Sequence, residues 1–280
     1  MKRYFITSDI HSFYTPLMKE LTKKGFDELN PEHVLVVCGD VFDRGNETLE
    51  VYNFLRSLPK ERLILIRGNH ELLYKELLNK YFPESHDYSN GTVKTFCQIA
   101  GFEPNVLDRH YWYRQAFLEN VDYYTNYSNY PQEYWKQIQE IVDTSEVTKW
   151  IESDAWVNYW ETEHYIFVHS YIPLQQALKM YYVEDLGYRE DWRNATDTEW
   201  EDAMWGCPWS KAKEGWNKTG KTIVCGHWHT SDFFNHLTKQ KKSVYDCPIF
   251  KSKRYKLIGL DACAAGSGKL NVLVLNEDEL

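Results

Sequence analysis

Short apolar runs that end in polar, metal-binding residue types recur along the chain. Val34-Leu35-Val36-Val37-Cys38 stops at Gly39 and delivers Asp40, Asp43 and Arg44 within a few residues. Tyr4 to Ser8 ends in Asp9-Ile10-His11, Leu63 to Ile66 in Arg67-Gly68-Asn69-His70-Glu71, Tyr165 to Val168 in His169-Ser170, and Thr222 to Cys225 in Gly226-His227-Trp228-His229. Continuous apolar runs bounded by turn formers predict strands buried on both faces. Between them, Tyr14 to Lys24, Glu47 to Ser57 and Leu72 to Lys80 place apolar residues at helical spacing, with Leu49, Tyr52, Phe54 and Leu55 expected on one face of the second helix. Through residue 80 the pattern is β-α-β-α-β-α, so the economical arrangement is a largely parallel sheet covered by helices. The donor-bearing ends would then meet along one sheet edge, where open α/β sheets bind ligands.

The pattern changes over residues 81–154. No donor-tipped run occurs there, and Tyr111, Trp112, Tyr113, Phe117, Tyr123, Tyr124, Tyr127, Tyr130, Tyr134 and Trp135 crowd together. This stretch reads as a mainly helical insertion within a single domain covering 1–280. Its aromatics suit either a lid over a ring-bearing substrate or a satellite core holding helices together, and the latter is favoured because aromatic side chains dominate core energetics. A second variable stretch runs from Tyr171 to Thr219, and strands over Lys256 to Asp261 and Leu270 to Leu275 close the chain.

A single carboxylate at a strand end usually caps the next helix, and a single histidine is more often a hydrogen-bonded structural residue. His33, His86, His110, His164 and His236 are given that ordinary role because no strand-end motif contains them. Asp9, His11, Asp40, Asn69, His169, His227 and His229 form a set instead: more ligands than one ion needs and about what two ions need. A bridging carboxylate between two metals roughly 3.5–4 Å apart would let them activate a shared water and clamp both ends of an in-line displacement. Mixed Asp, Asn and His donors suit manganese, iron or zinc better than magnesium.

Composition narrows the partners. The 280 residues are 43% hydrophobic and 16% aromatic, enough for a substantial core, and the formal charge of -9 argues against stable nucleic-acid or anionic-membrane binding. Six cysteines with no C-x-x-C pair, and the absence of a convincing signal peptide, fit a reduced, cytoplasmic protein with no membrane association.

Asp9-Ile10-His11, Gly39-Asp40-Val41-Phe42-Asp43-Arg44-Gly45, Gly68-Asn69-His70-Glu71, Val168-His169 and Gly226-His227-Trp228-His229, in this order, resemble the motifs of the calcineurin-like metallophosphoesterases. The intact second and third motifs resemble the serine/threonine-protein phosphatase branch. The resemblance implies an α/β fold with a central β-sandwich of mixed sheets flanked by helices. It also implies that Asp9 and His11 hold one metal, that Asp40 bridges, and that Asn69, His169 and His227 hold the second. His70 would be the general acid oriented by Asp43, and Arg44 would grip the phosphate together with Asn69 and His70. His229 joins the first metal, because the Gly226 to His229 ending resembles the phosphodiesterase side of the superfamily.

Besides the Gly226 to His229 ending, two departures from the family pattern bear on the expectation. Ser12 stands where a glycine is usual and would narrow the approach to the metals. Asp202-Ala203-Met204-Trp205 is a lesser landmark, but no second phosphate-clamping arginine is evident, with Arg189, Arg193 and Lys211 candidates by location only. Glu71 and Asp261 suit supporting roles as well as catalysis. The implied function is a dinuclear-metal phosphoester hydrolase acting on a phosphorylated protein or nucleotide substrate, with a phosphomonoesterase of the protein-phosphatase type first. Alternatives are a dinucleoside tetraphosphatase or phosphodiesterase, and a non-catalytic metal-binding scaffold. A serine hydrolase is disfavoured because no G-x-S-x-G elbow is present.

Overall fold

The computed structural model describes residues 1–178 and 183–280; the four residues between fall inside the second variable stretch. The chain begins β1 (Arg3–Thr7), α1 (Tyr14–Lys23), β2 (His33–Cys38), α2 (Thr48–Ser57), β3 (Leu63–Ile66) and α3 (Asn69–Leu78). Six helices follow: α4 (Ser85–Asn90), α5 (Thr92–Ala100), α6 (Arg109–Glu119), α7 (Tyr123–Asn126), α8 (Tyr130–Asp143) and α9 (Glu146–Ile151). Next come β4 (Trp156–Val157), β5 (Trp160–Glu161), β6 (Tyr165–Phe167), the antiparallel pair β7 (Leu174–Leu178) and β8 (Val183–Tyr188), α10 (Asp197–Met204) and α11 (Pro208–Lys213). The chain ends with β9 (Thr222–Cys225), α12 (Thr230–Leu237), β10 (Phe250–Ser252), β11 (Leu257–Gly259), α13 (Ala264–Ser267) and β12 (Leu273–Asn276).

Two five-stranded sheets form, in the orders β12-β1-β2-β3-β4 and β10-β11-β9-β6-β5. In the first, β1 to β4 are parallel and β12 joins β1 antiparallel; in the second, β11, β9 and β6 are parallel and the two edge strands antiparallel. Side-chain alternation explains why the donor-bearing runs read as continuous apolar stretches. Phe5, Leu35, Val37 and Leu65 pack outward under helices α1, α2, α3, α5, α8 and α9. Their neighbours Ile6, Val36, Cys38 and Ile66 pack inward against Phe167, Val224 and Ile258 of the second sheet. Ile166, Ile223, Cys225 and Leu257 face Trp200, Ala212 and Phe233 of α10, α11 and α12 on the far side. Each fully buried Phe, Leu or Val contributes about 1.5–3 kcal/mol relative to exposure, so both faces of each central strand are fixed.

The arrangement is a mixed α/β sandwich, and the parallel sheet expected from the first eighty residues is only half of it. Strands β6 and β9, expected along the same sheet edge as β1 to β3, belong to the opposite layer. An apolar run reports burial on both faces but not which sheet a strand joins. One buried face and one boundary also differ. Leu49 is 40% exposed, and α2 instead buries Thr48, Val51, Phe54 and Leu55. Helix α3 starts at Asn69, so Asn69 and His70 lie in its first turn. Among the aromatics of 81–154, Trp135 enters the main core, while Trp112 and Tyr123 form a separate cluster with Tyr111, Tyr127, Tyr130 and Tyr134. No helix among the described residues is long and apolar enough to cross a membrane.

Candidate metal centre

The ends of β1, β2 and β9 turn sharply before releasing their polar residues. Asp9, His11, Ser12, Asp40, Asp43, Arg44 and His227 all adopt positive φ, between 50° and 78°. Left-handed backbone costs a non-glycine residue about 1–3 kcal/mol and persists only where surrounding structure enforces it. The enforcement is visible: His11 and Ser12 donate their N–H groups to the carbonyls of Asp40 and Val41, and Asp9 donates to Gly39. Gly39 itself (φ 81°) lies against the His169 ring, where a methyl group would not fit.

Asp40 is central to the geometry. Its Oδ1 accepts the backbone N–H of His70 at 3.0 Å, so this carboxylate caps α3 rather than the helix that follows it in sequence. Glu71, in the first turn of α3, returns the favour by accepting from Gly68 at 2.7 Å, Asp40 at 3.1 Å and Val41 at 2.9 Å. The two Asp40 oxygens then face different partners. Oδ2 lies 3.7 Å from His11 Nε2 and 3.8 Å from His70 Nε2, and Oδ1 lies 3.4 Å from His169 Nε2.

The histidines present one bare nitrogen each to this centre. His11 Nδ1 lies 2.9 Å from the Phe42 carbonyl and His169 Nδ1 2.9 Å from that of Cys38, so each donates there and leaves Nε2 to accept. The Trp205 backbone similarly bonds the His227 ring, and His227 Nδ1 sits 3.2 Å from His169 Nε2, which is 2.8 Å from Asn69 Oδ1. Burial lowers the pKa of all three, that of His227 to about 4, so the rings are neutral and able to ligate. Donor atoms of His11, Asp40 and His70 lie within 4.8 Å of one another, as do those of Asp40, His169 and His227.

Asp9 is buried beside Asp40 and Asp261, and both its oxygens accept the His227 N–H, at 3.1 and 3.0 Å. Burial, then the neighbouring charges of Asp261 and Asp40, push its carboxyl well upward; burial raises Asp40 to about 7. Three buried carboxylates facing several bare imidazole nitrogens call for compensating positive charge, and divalent cations fit that donor set. Asp9, His11, Asp40, Asn69, His70, Arg44, His227 and His229 line one cavity of about 170 Å³.

Residues 2–231 match the family described as calcineurin-like phosphoesterase. The chain belongs to this family. Within it, segments of the chain are similar to symmetrical bis(5'-nucleosyl)-tetraphosphatases of Buchnera aphidicola. One is 39% identical over 72 residues, 26% of this chain and 25% of the relative, and another 30% identical over 123 residues, 44% and 40% of the two. The chain therefore matches less than half the length of these relatives. A cold-active protein tyrosine phosphatase of known structure is 15% identical with a TM-score of 0.49, covering 99% of this chain and 75% of that one.

Relative to the phosphoesterase expectation, the motif residues come together, with Asp9 and His229 on the cavity wall rather than inside either tight donor group. His70 donates from Nδ1 to Asp43 Oδ2 at 2.6 Å, and its Nε2 lies 3.4 Å from Arg44 Nη2. Burial opposes charge on His70, but Asp40 and Asp43 outweigh it and its pKa is raised.

Several expectations are corrected. Ser12 does not narrow the cavity: its buried hydroxyl bonds Thr48 Oγ1 at 2.9 Å, and its φ of 57° accounts for the usual glycine. Arg189, Arg193 and Lys211 do not reach the cavity, because local carboxylates hold them. Arg189 pairs with Asp191 and Glu199, Arg193 with Glu161, and Lys211 with Asp185. The clustered aromatics follow the favoured satellite-core alternative, Trp112 and Tyr123 packing with Tyr111, Tyr127, Tyr130 and Tyr134, and none of the ten lines the cavity; Trp205, 50% exposed, does line it. Sequence reasoning missed Asn90 on the cavity wall and Thr92 and Thr95, which donate to the two Asp43 oxygens at 2.8 Å each. Threonines three apart on an amphipathic helix carry no distinguishing signal.

Proposed function

We propose that this chain is a dinuclear-metal phosphoester hydrolase in which His70 protonates the leaving oxygen. The single observation carrying the reading is the division of Asp40, one oxygen toward His11 and the other toward His169. Asp9, His11 and His229 would hold one ion, Asn69, His169 and His227 the other, and Asp40 both; manganese, iron or zinc suits these donors. When bound, such ions lower the pKa of a water toward neutrality and offset phosphate charge.

The chain's own residues supply the rest. Arg44, exposed at the mouth beside His70, is placed to fork onto two phosphate oxygens. Water attacks phosphorus as the bond to the leaving oxygen breaks, and the proton on His70 Nε2 passes to that oxygen. Asp43 holds the opposite nitrogen, fixing the tautomer and stabilising the imidazolium before transfer.

A nucleotide-bearing substrate is favoured over a phosphoprotein. Similarity to the tetraphosphatases supports it, as does Trp205, a half-exposed indole on the cavity wall. Arg189, Arg193 and Lys211 are paired to carboxylates, so none of these candidates by location fills the missing second phosphate clamp that already weakened the phosphoprotein reading. The manganese-loaded protein should be assayed against diadenosine tetraphosphate, a phosphopeptide and a bis-aryl phosphodiester. Fastest turnover of the first supports the nucleotide reading, fastest turnover of the phosphopeptide reverses it, and turnover of none overturns the hydrolase reading.

A further inference from the structure

The Asp43 carboxylate is buried, 1% exposed, and its bonding is nearly complete. Oδ2 accepts from His70 Nδ1 at 2.6 Å and from Thr92 Oγ1 at 2.8 Å, and Oδ1 from Thr95 Oγ1 at 2.8 Å. Thr95 Oγ1 also accepts the Asp43 backbone N–H at 3.0 Å. That bond occupies a lone pair of the hydroxyl and leaves its hydrogen directed at Oδ1. Both threonines are fully buried, so water does not compete for these bonds.

Helix α5 is held in place from both sides. Val93, Phe96 and Cys97 sit in the core with Tyr74 and Trp135. The opposite side is bonded to the loop that follows Asp43: Lys94 Nζ donates to the Arg44 carbonyl at 3.0 Å, Gln98 Nε2 donates to that of Gly45 at 3.1 Å, and Gln98 Oε1 accepts from the Thr48 N–H at 3.1 Å. Asn90, two residues before Thr92, lines the cavity. One helix, carried by the segment between β3 and β4, thus determines where the carboxylate behind His70 points.

We infer that Thr92 and Thr95 are positioning residues for proton delivery by His70, an inference that rests on the hydrolase reading above. They fix the Asp43 oxygens so that His70 Nδ1–H has one direction in which to bond, and Nε2 is aimed at the leaving oxygen. Such an effect grows with the need for protonation, because a poor leaving group depends on the acid and a good one does not.

Thr92→Val, Thr95→Val and their serine counterparts are compared with the parent, all manganese-loaded, on p-nitrophenyl phosphate and phenyl phosphate. The expected result is a fall in kcat of about 10-fold or more on phenyl phosphate, a change under about 3-fold on p-nitrophenyl phosphate, and recovery in the serine variants, as for partial loss of a general acid. Equal falls on both esters, or falls that track melting temperature alone, overturn the inference. An activity-independent readout is the downfield proton resonance of His70 Nδ1–H in histidine-labelled protein. It should shift or broaden in the valine variants and persist in the serine variants. If the parent hydrolyses neither ester but the resonance responds in this way, the positioning stands, and the hydrolase reading is decided separately by the nucleotide, phosphopeptide and diester assays. If the resonance is unchanged, the positioning fails whatever the activity. Each single variant decides its own residue, and Thr92→Ala or Thr95→Ala, which also lacks the hydroxyl, serves where a valine variant does not fold.

Discussion

The Glu71 carboxylate accepts the backbone N–H of Asp40 at 3.1 Å, so the residue that faces both donor groups is held from behind by the first turn of α3. The same carboxylate holds Gly68 and Val41. Glu71→Gln replaces one acceptor oxygen with a donor that meets backbone N–H groups. A loss of about 1–3 kcal/mol in urea unfolding is expected, with weaker manganese binding by calorimetry.

Asp40→Asn should affect both proposed ions and His11→Ala only one. After manganese supplementation and desalting, elemental analysis should find under about one ion per chain in the first variant and about one in the second, against about two in the parent.

His70→Asn should lower kcat by about 10²–10⁴-fold on a phenyl ester with metal content unchanged. Its Nε2 stands 3.8 Å from Asp40 Oδ2, close enough that metal analysis must accompany the kinetics. A variant that loses an ion would make His70 a ligand instead of an acid.

Gly226→Ala should weaken binding of the ion assigned to Asp9 while leaving most of the fold intact, because the added methyl group meets Asp9 Oδ2 and the Ser8 side chain. Circular dichroism together with a manganese titration checks both halves of that statement.

Outside the cavity lining, Glu161 links Arg193, at 2.5 Å, and Lys221, at 2.8 Å. Hydrogen bonding to Arg193 leads the causes that depress its carboxyl from 4.5 to about 2. A depressed folded-state value contributes stability above the unfolded pKa and loses it as pH falls through the folded one. Glu161→Gln should therefore cost ~1 kcal/mol at neutral pH, discounted for the partly exposed Arg193. The gap from the parent should close between pH 4.5 and about 2 in denaturant titrations.

Much of this was legible in the residues themselves. Asp9, Asp40 and His70 were found because β1, β2 and β3 are buried on both faces and so read as unbroken apolar runs ending in polar types. The pairing of His169 and His227 with a second sheet was not legible, since hydrophobic periodicity carries no information about which strands adjoin. Thr92 and Thr95 escaped because their partner, Asp43, lies some fifty positions earlier and only the docking of α5 joins them. Arg189, Arg193 and Lys211, candidates by location only, are drawn off for a physical reason: location along the chain ignores the carboxylates that hold them.

Asp40 and Asn69 are anchored in one layer of the sandwich and His169 and His227 in the other, with the inward side chains of both layers between. Any cation seated among them is consequently a rivet as well as a reagent. Chelation should lower the melting temperature and speed amide exchange first along the seam where β2 faces β6 and β9. Neither layer expressed alone could retain a complete centre, so the chemistry is indivisible from the closing of the two halves.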